Sequence, residues 1–208
     1  MKKSKRIKKS NSWKIKQHRD QFFKKSKTLG YRSRASFKLI ELNKKYKFIK
    51  KNSNLLDLGS CPGGWSQVAA QIVKTGKIMS IDIQEMEPIK YVKFLKGDFL
   101  EEQTKNEVIR YFSSNVDLII SDMAADTTGN KSLDSIRTNQ LCANVINFSR
   151  EILKSKGVLV SKIFMGEDFL EVKNLAKSTF NKVNFFKPES SRKESKETYL
   201  HCEILKTL

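Results

Sequence analysis

The chain has 208 residues, 38% of them hydrophobic, and a formal net charge of +19. No run of about 18 uncharged apolar residues occurs, which argues against a membrane-spanning helix. Three scattered cysteines, Cys61, Cys142 and Cys202, form no Cys-x-x-Cys pair, which argues against a disulfide framework and a zinc site and for reduced thiols.

Residues 1–53 carry 20 Lys or Arg against two Asp or Glu, so nearly all the net charge lies in the first quarter. That asymmetry points to a polyanionic partner. Trp13, Phe22, Phe23 and Tyr31 are interleaved with the charges, which suits stacking on nucleic-acid bases. No continuous apolar face accompanies them, so a membrane surface ranks lower. Residues 1–12 read as disordered, and residues 13–30 as a basic segment that orders on its substrate. Residues 1–30 are therefore an RNA-binding extension, and residues 31–208 a folded domain. No apolar segment follows the basic start, so a cytoplasmic protein is expected. Nothing reads as a dimer seam, so a monomer is expected.

Ala35, Leu39, Leu42 and Tyr46 recur at helical spacing and predict a helix over 33–46. Arg34, Lys38, Glu41 and Lys45 fall on its opposite face, which is expected to look outward. Strands and helices then alternate. Strands are predicted at 54–59, 78–83, 92–97, 116–122 and 157–164. Helices are predicted at 63–74, with Gly76 as its C′ residue, and at 101–112, 134–154 and 167–180. In the long helix Leu141, Val145, Phe148 and Ile152 face inward. Two last strands, 182–187 and 197–205, have no helix between them and predict an antiparallel, hairpin-like edge. Alternation with continuous apolar runs predicts a mainly parallel seven-stranded sheet covered by helices on both faces, a Rossmann-like α/β fold.

The segment Leu55-Leu56-Asp57-Leu58-Gly59-Ser60-Cys61-Pro62-Gly63-Gly64-Trp65 reads as a buried strand, a sharp glycine turn and a helix start. A helix start offers unpaired N–H groups and partial positive charge to an anionic ligand group. In a doubly wound sheet, ligands sit beyond the carboxyl ends of the strands. Asp82 ends the second strand and Asp98 follows the third, placed for ribose hydroxyls and an adenine amino group. The loop lacks the second glycine of Gly-x-Gly-x-x-Gly and any Gly-Lys-Ser/Thr, against a dinucleotide or a P-loop. One carboxylate, one ribose and one adenine fit better, which means S-adenosylmethionine. For the loop alone, a tight ligand-free turn stays open.

Three polar residues interrupt apolar strand ends: Asp122, Lys162 within Val158–Phe164, and Glu197. An unpaired buried ammonium is costly, so Lys162 is either an edge-strand residue reaching solvent or a deliberately placed amine. The parallel-sheet reading favours the second, because Asp122 and Lys162 then end neighbouring strands on the rim of the glycine loop. A desolvated lysine can act as general base for methyl transfer to a hydroxyl. Lys38 as a neighbouring cation favours the neutral amine, and the carboxylates Asp122 and Glu197 favour the ammonium. The balance stays open.

The chain resembles the FtsJ/RrmJ family of ribose 2′-O-methyltransferases from about Tyr31 onward. The resemblance rests on Tyr31–Leu39, Leu56–Gln67, Gly97-Asp98-Phe99, Ser121-Asp122-Met123-Ala124, Lys162-Ile163-Phe164, Lys187–Arg192 and Ser195–Tyr199. It implies a Lys-Asp-Lys-Glu catalytic tetrad at Lys38, Asp122, Lys162 and Glu197, with Lys162 as proton acceptor. It implies S-adenosylmethionine contacts at Gly63, Trp65, Asp82, Asp98 and Asp122, beside Gly59 of the turn, and no metal. It also implies a uridine ribose in the peptidyl-transferase region of assembled large-subunit (23S) rRNA as substrate. Ala125-Asp126 stand where many relatives carry Pro-Asn. A tRNA anticodon-loop 2′-O-methyltransferase and a non-catalytic ribosome assembly factor are the alternatives. The complete tetrad argues against the second.

Overall fold

A computed structural model describes residues 20–206, which form six helices and seven strands. Two helices come first, α1 (Gln21–Thr28) and α2 (Ala35–Tyr46). The alternating part is β1 (Leu55–Leu58), α3 (Gly64–Ile72), β2 (Ile78–Asp82), β3 (Lys93–Lys96), α4 (Glu102–Phe112), β4 (Val116–Ser121), α5 (Lys131–Ile152), β5 (Leu153–Phe164) and α6 (Phe169–Thr179). Strands β6 (Phe180–Phe186) and β7 (Glu197–Leu205) finish it.

All seven strands make one sheet in the order β3-β2-β1-β4-β5-β7-β6. The order reverses between β1 and β4, which pair in parallel. Side chains alternate along each strand, and both faces are covered. Leu56, Leu58, Ile119 and Leu159 face a core filled by α4, α5 and α6. Leu55, Leu118, Ile120 and Val160 face a second core with Leu39 and Leu42 of α2 and Trp65 and Val68 of α3. That double burial explains the unbroken apolar runs in the sequence.

The last two strands form the expected antiparallel edge pair, with β7 beside β5 and β6 outermost. Two expectations need correction. Gly76 is not a C′ residue. Helix α3 stops at Ile72 with Val73 as its cap, and a Cβ on Gly76 would overlap the Ser53 carbonyl, so that glycine serves a close backbone approach. The long helix α5 starts at Lys131 rather than Asp134, because the Asn130 side chain accepts from the N–H groups of Ser132 and Leu133.

Of the basic extension, residues 20–30 are described. Asp20 caps α1 by accepting from Phe22 N and Phe23 N, and Phe22 packs on Phe37 of α2 at 5.5 Å. Residues 1–19 lie outside the described residues.

Candidate active site

The carboxyl ends of β1, β2 and β4 open onto a cavity of about 550 Å³. Gly59, Asp82, Asp98 and Asp122 line it, with Ile83, Phe99, Leu100, Met123 and Leu141 as apolar walls. Gly59 turns with φ +72°, and a Cβ there would overlap Met123 Cγ. Asp82 holds the turn from below: its Oδ2 accepts from Cys61 N at 2.8 Å and its Oδ1 from Gln84 N at 2.8 Å. Asp98 Oδ1 accepts from Leu100 N at 2.9 Å. Carboxylates spaced along an apolar-walled cleft of this size fit a nucleoside-bearing ligand.

Gly63 and Trp65 lie outside this lining. Gly63, at φ +104°, is closed over by Ile89, Met86 and Arg32. Arg32 fastens that cover, donating to Glu87 O at 2.6 Å and Pro88 O at 2.7 Å. Trp65 is buried, donates from Nε1 to Ala35 O at 2.8 Å, and packs on Tyr199 at 5.6 Å.

Strand register brings the four other polar residues together. Ser121 pairs with Ser161, so Asp122 comes abreast of Lys162, which in turn pairs with Tyr199. Glu197 opposes Phe164 at the start of β7, two residues before Tyr199 and therefore on its face. Because β7 runs antiparallel to β5, its first residue reaches the rim where the parallel strands end. Lys38 comes down from α2 onto the same face. Lys38 Nζ lies 2.7 Å from Glu197 Oε2, and Lys162 Nζ lies 2.8 Å from Asp122 Oδ1. The cross distances are 3.9 Å for Lys38 to Asp122 and 3.8 Å for Lys162 to Glu197. Lys162 also donates to Asp122 O at 2.6 Å. Two ammonium groups thus face two carboxylates with balanced charge, as burial demands. Asp122 belongs to both places: it lines the cavity and it bonds Lys162.

The model of the FtsJ-like methyltransferase family matches residues 31–204. The chain belongs to this family. Ribosomal RNA large subunit methyltransferase E of Pelagibacter ubique is 44% identical over 197 residues, covering 95% of this chain and 97% of that one. A solved ribosomal RNA methyltransferase from Plasmodium falciparum superposes with a TM-score of 0.76 at 33% identity, covering 84% of this chain and 98% of that one. Human methyltransferase-like protein 13, solved in complex with SAH, shares the fold at a TM-score of 0.58 and 14% identity, covering 81% and 79% of the two chains.

Electrostatics separates the carboxyl groups of this FtsJ-like site. Burial pushes Asp122 up, but the ammonium groups of Lys162 and Lys38, with hydrogen bonds from Lys162 and Tyr199, outweigh it and hold Asp122 below the ordinary carboxylate range. The Tyr199 hydroxyl, donating to Asp122 Oδ1 at 2.5 Å, is driven well above its ordinary value by burial and then by the charges of Asp122 and Glu197.

Asp57 escaped the sequence reading. It sits in the middle of β1, and burial raises its carboxyl to about 7 against the opposing hydrogen bond from Ser66. Ser66 Oγ donates to its Oδ2 at 2.5 Å and meets Ser80 Oγ at 2.7 Å, tying α3 to β1 and β2. The signal was present: a lone carboxylate within Leu-Leu-Asp-Leu is as anomalous as Lys162. The polar face of α2 looks outward, as expected, at Lys45, but not at Lys38 and Glu41. Lys38 is buried, and Glu41 accepts from Glu189 N at 2.6 Å and Ser190 N at 3.1 Å, so residues 187–196 fold across that face.

Among the described residues no helix is long and apolar enough to cross a membrane, and no group of three or more His, Cys, Asp or Glu side chains is arranged to hold a metal.

Proposed function

We propose that this chain transfers a methyl group from S-adenosylmethionine to the ribose 2′-hydroxyl of a uridine in large-subunit (23S) rRNA. It works in the cytoplasm as a monomer, on the assembled subunit. The observation that carries this reading is the sharing of Asp122 between the cavity and the Lys38–Asp122–Lys162–Glu197 cluster. The rRNA substrate is supported by the name of the Pelagibacter relative, and the cofactor by the SAH-bound neighbour.

The cavity suits the cofactor: Asp82 and Asp98 would hold ribose hydroxyls and the adenine edge, with Ile83 and Leu100 against the base. Gly59 allows close backbone approach there, while Gly63 and Trp65 shape the turn and its packing. When bound, S-adenosylmethionine supplies a sulfonium methyl group, whose carbon bonds to the hydroxyl oxygen as the carbon–sulfur bond breaks.

Lys162 then takes the hydroxyl proton. To act as base the Lys162 ammonium first gives up a proton; its two remaining N–H bonds match its two acceptors on Asp122 and leave one lone pair for the substrate. Once protonated, Lys162 gains a third donor and a full charge, which Asp122 and Glu197 stabilise. Lys38 balances the charge of Glu197. Fixing the amine also restricts the approach of the hydroxyl, an entropic contribution as large as proton transfer itself. The first 30 residues act as an RNA-binding arm, supported by their charge and by the exposed Lys24, Lys25 and Lys27 of α1.

The test is methyl transfer from radiolabelled cofactor to three substrates: large subunits lacking the modification, free rRNA and tRNA. Label on a ribose of large-subunit rRNA supports the proposal. Label in tRNA alone refutes it.

A further inference from the structure

Glu197 has two oxygens with separate duties. Oε2 faces Lys38 at 2.7 Å and Lys162 at 3.8 Å. Oε1 accepts from the hydroxyl of Ser191 at 2.7 Å, in a contact buried on both sides. Ser191 belongs to the strap of residues 187–196 between β6 and β7, and the strap is itself fastened. Glu41 of α2 accepts from its Glu189 and Ser190 N–H groups, and Arg34 donates to Ser190 O. Arg34 is held in turn by Asp20 at 2.8 Å, the only acidic residue among the first 40. Further along, Lys187 Nζ reaches Ser195 O at 2.6 Å. These contacts fasten the strap beside the Glu197 carboxylate.

We infer that Ser191 is a positioning residue for the methyl-transfer reaction: its hydroxyl locks the Glu197 carboxylate at 2.7 Å from Lys38 and holds it at 3.8 Å from Lys162. This rests on the function proposed above. The groups facing Glu197 are Lys38 from α2, Asp122 from the end of β4, Lys162 from β5, and Tyr199 on its own strand, with Arg34 acting on Tyr199 from α2. With Oε1 released, the carboxylate is free to turn about its terminal bond. It then pairs with either lysine, placing a second full counter-charge beside Lys162. That second counter-charge draws the Lys162 nitrogen from the aim its two contacts to Asp122 give it, so the substrate hydroxyl meets a misplaced base.

The experiment compares wild type, Ser191→Ala, Ser191→Cys and Ser191→Thr with large ribosomal subunits lacking the modification and radiolabelled S-adenosylmethionine. Values of kcat and KM are measured separately, with cofactor affinity and thermal melting on the same preparations. Ser191→Ala is expected to lower kcat by roughly tenfold, the scale of a sub-ångström misplacement. KM for the subunit and cofactor affinity stay unchanged. Ser191→Cys, close in size but a weak donor, is expected to follow Ser191→Ala, and Ser191→Thr to recover the rate. This separates hydrogen bonding from packing even where Ser191→Ala lowers the melting temperature. An active wild type with Ser191→Ala and Ser191→Cys matching it in kcat overturns the inference alone. A wild type that transfers no methyl group to any RNA overturns the methyltransferase reading and this inference with it.

Discussion

Lys38 and Glu197 stand 159 positions apart and meet at 2.7 Å. The pair exists because β7 inserts antiparallel between β5 and β6, so that the first residue of the last strand arrives at the rim where β4 and β5 end. A helix that precedes the sheet and a strand that closes it thus enclose Asp122 and Lys162 from above and beside. The site is assembled by topology, and each of its four members sits on a rigid element or at its end.

Asp57 predicts a pH dependence of stability. Its carboxyl is raised to about 7 by burial, whereas an unfolded chain ionises near the ordinary carboxylate value. The folded state therefore holds a proton that the unfolded state has released, and stability falls as pH rises from about 4 to about 7. The full swing is up to ~4 kcal/mol. Asp57→Asn, which still accepts from Ser66, should flatten this part of the curve. Melting temperatures of both proteins between pH 4.5 and 8 test it. Parallel curves would remove Asp57 from this role.

Gly59→Ala should damage both stability and cofactor binding. The residue turns with φ +72°, where a side chain costs about 1 kcal/mol, and its Cβ would overlap Met123 Cγ. Met123 lines the cavity, so its displacement narrows the cleft. Melting and titration with S-adenosylmethionine should both register the change. A variant with normal melting and normal affinity would contradict the tight approach.

Asp82→Ala removes a carboxylate that already accepts from Cys61 N and Gln84 N. Affinity for S-adenosylmethionine should fall by roughly 10–100-fold, the scale of one lost charge-assisted hydrogen bond. Calorimetric titration measures it, and unchanged affinity would count against a ribose contact at Asp82.

Residues 1–19 contain nine Lys or Arg and no Asp or Glu. Their deletion leaves α1 in place and should weaken RNA binding while flattening its dependence on salt, through lost phosphate contacts. Binding curves at several salt concentrations decide it. An unchanged slope would make the segment a solubility feature.

Much of this fold was legible because its signals are local. The Leu55–Leu58 run, the turn at Gly59 and the apolar stripes of α3 and α5 each show in a few consecutive residues, and alternation did the rest. Asp82, Asp98, Asp122 and Lys162 were visible as polar interruptions at apolar strand ends. What escaped depends on distant segments. The outward reading of the α2 polar face failed at Glu41 because residues 187–196 cover it, and no periodicity in α2 announces a lid encoded 150 residues later. Asp57 was a different case: its signal was local, but its partner Ser66 and the adjoining Ser80 come from other elements. Ser191 is a small residue in a polar loop, and only the strap's geometry gives it meaning.

The central claim is that Lys162 removes the proton from a ribose 2′-hydroxyl. The direct measurement places wild type and Lys162→Ala side by side, scoring methyl incorporation into large subunits lacking the modification and affinity for S-adenosylmethionine. Wild type should label the ribose, and Lys162→Ala should bind the cofactor yet lose transfer by about 10²–10⁴-fold, the range of a general base. Transfer by Lys162→Ala at the wild-type rate would contradict the account.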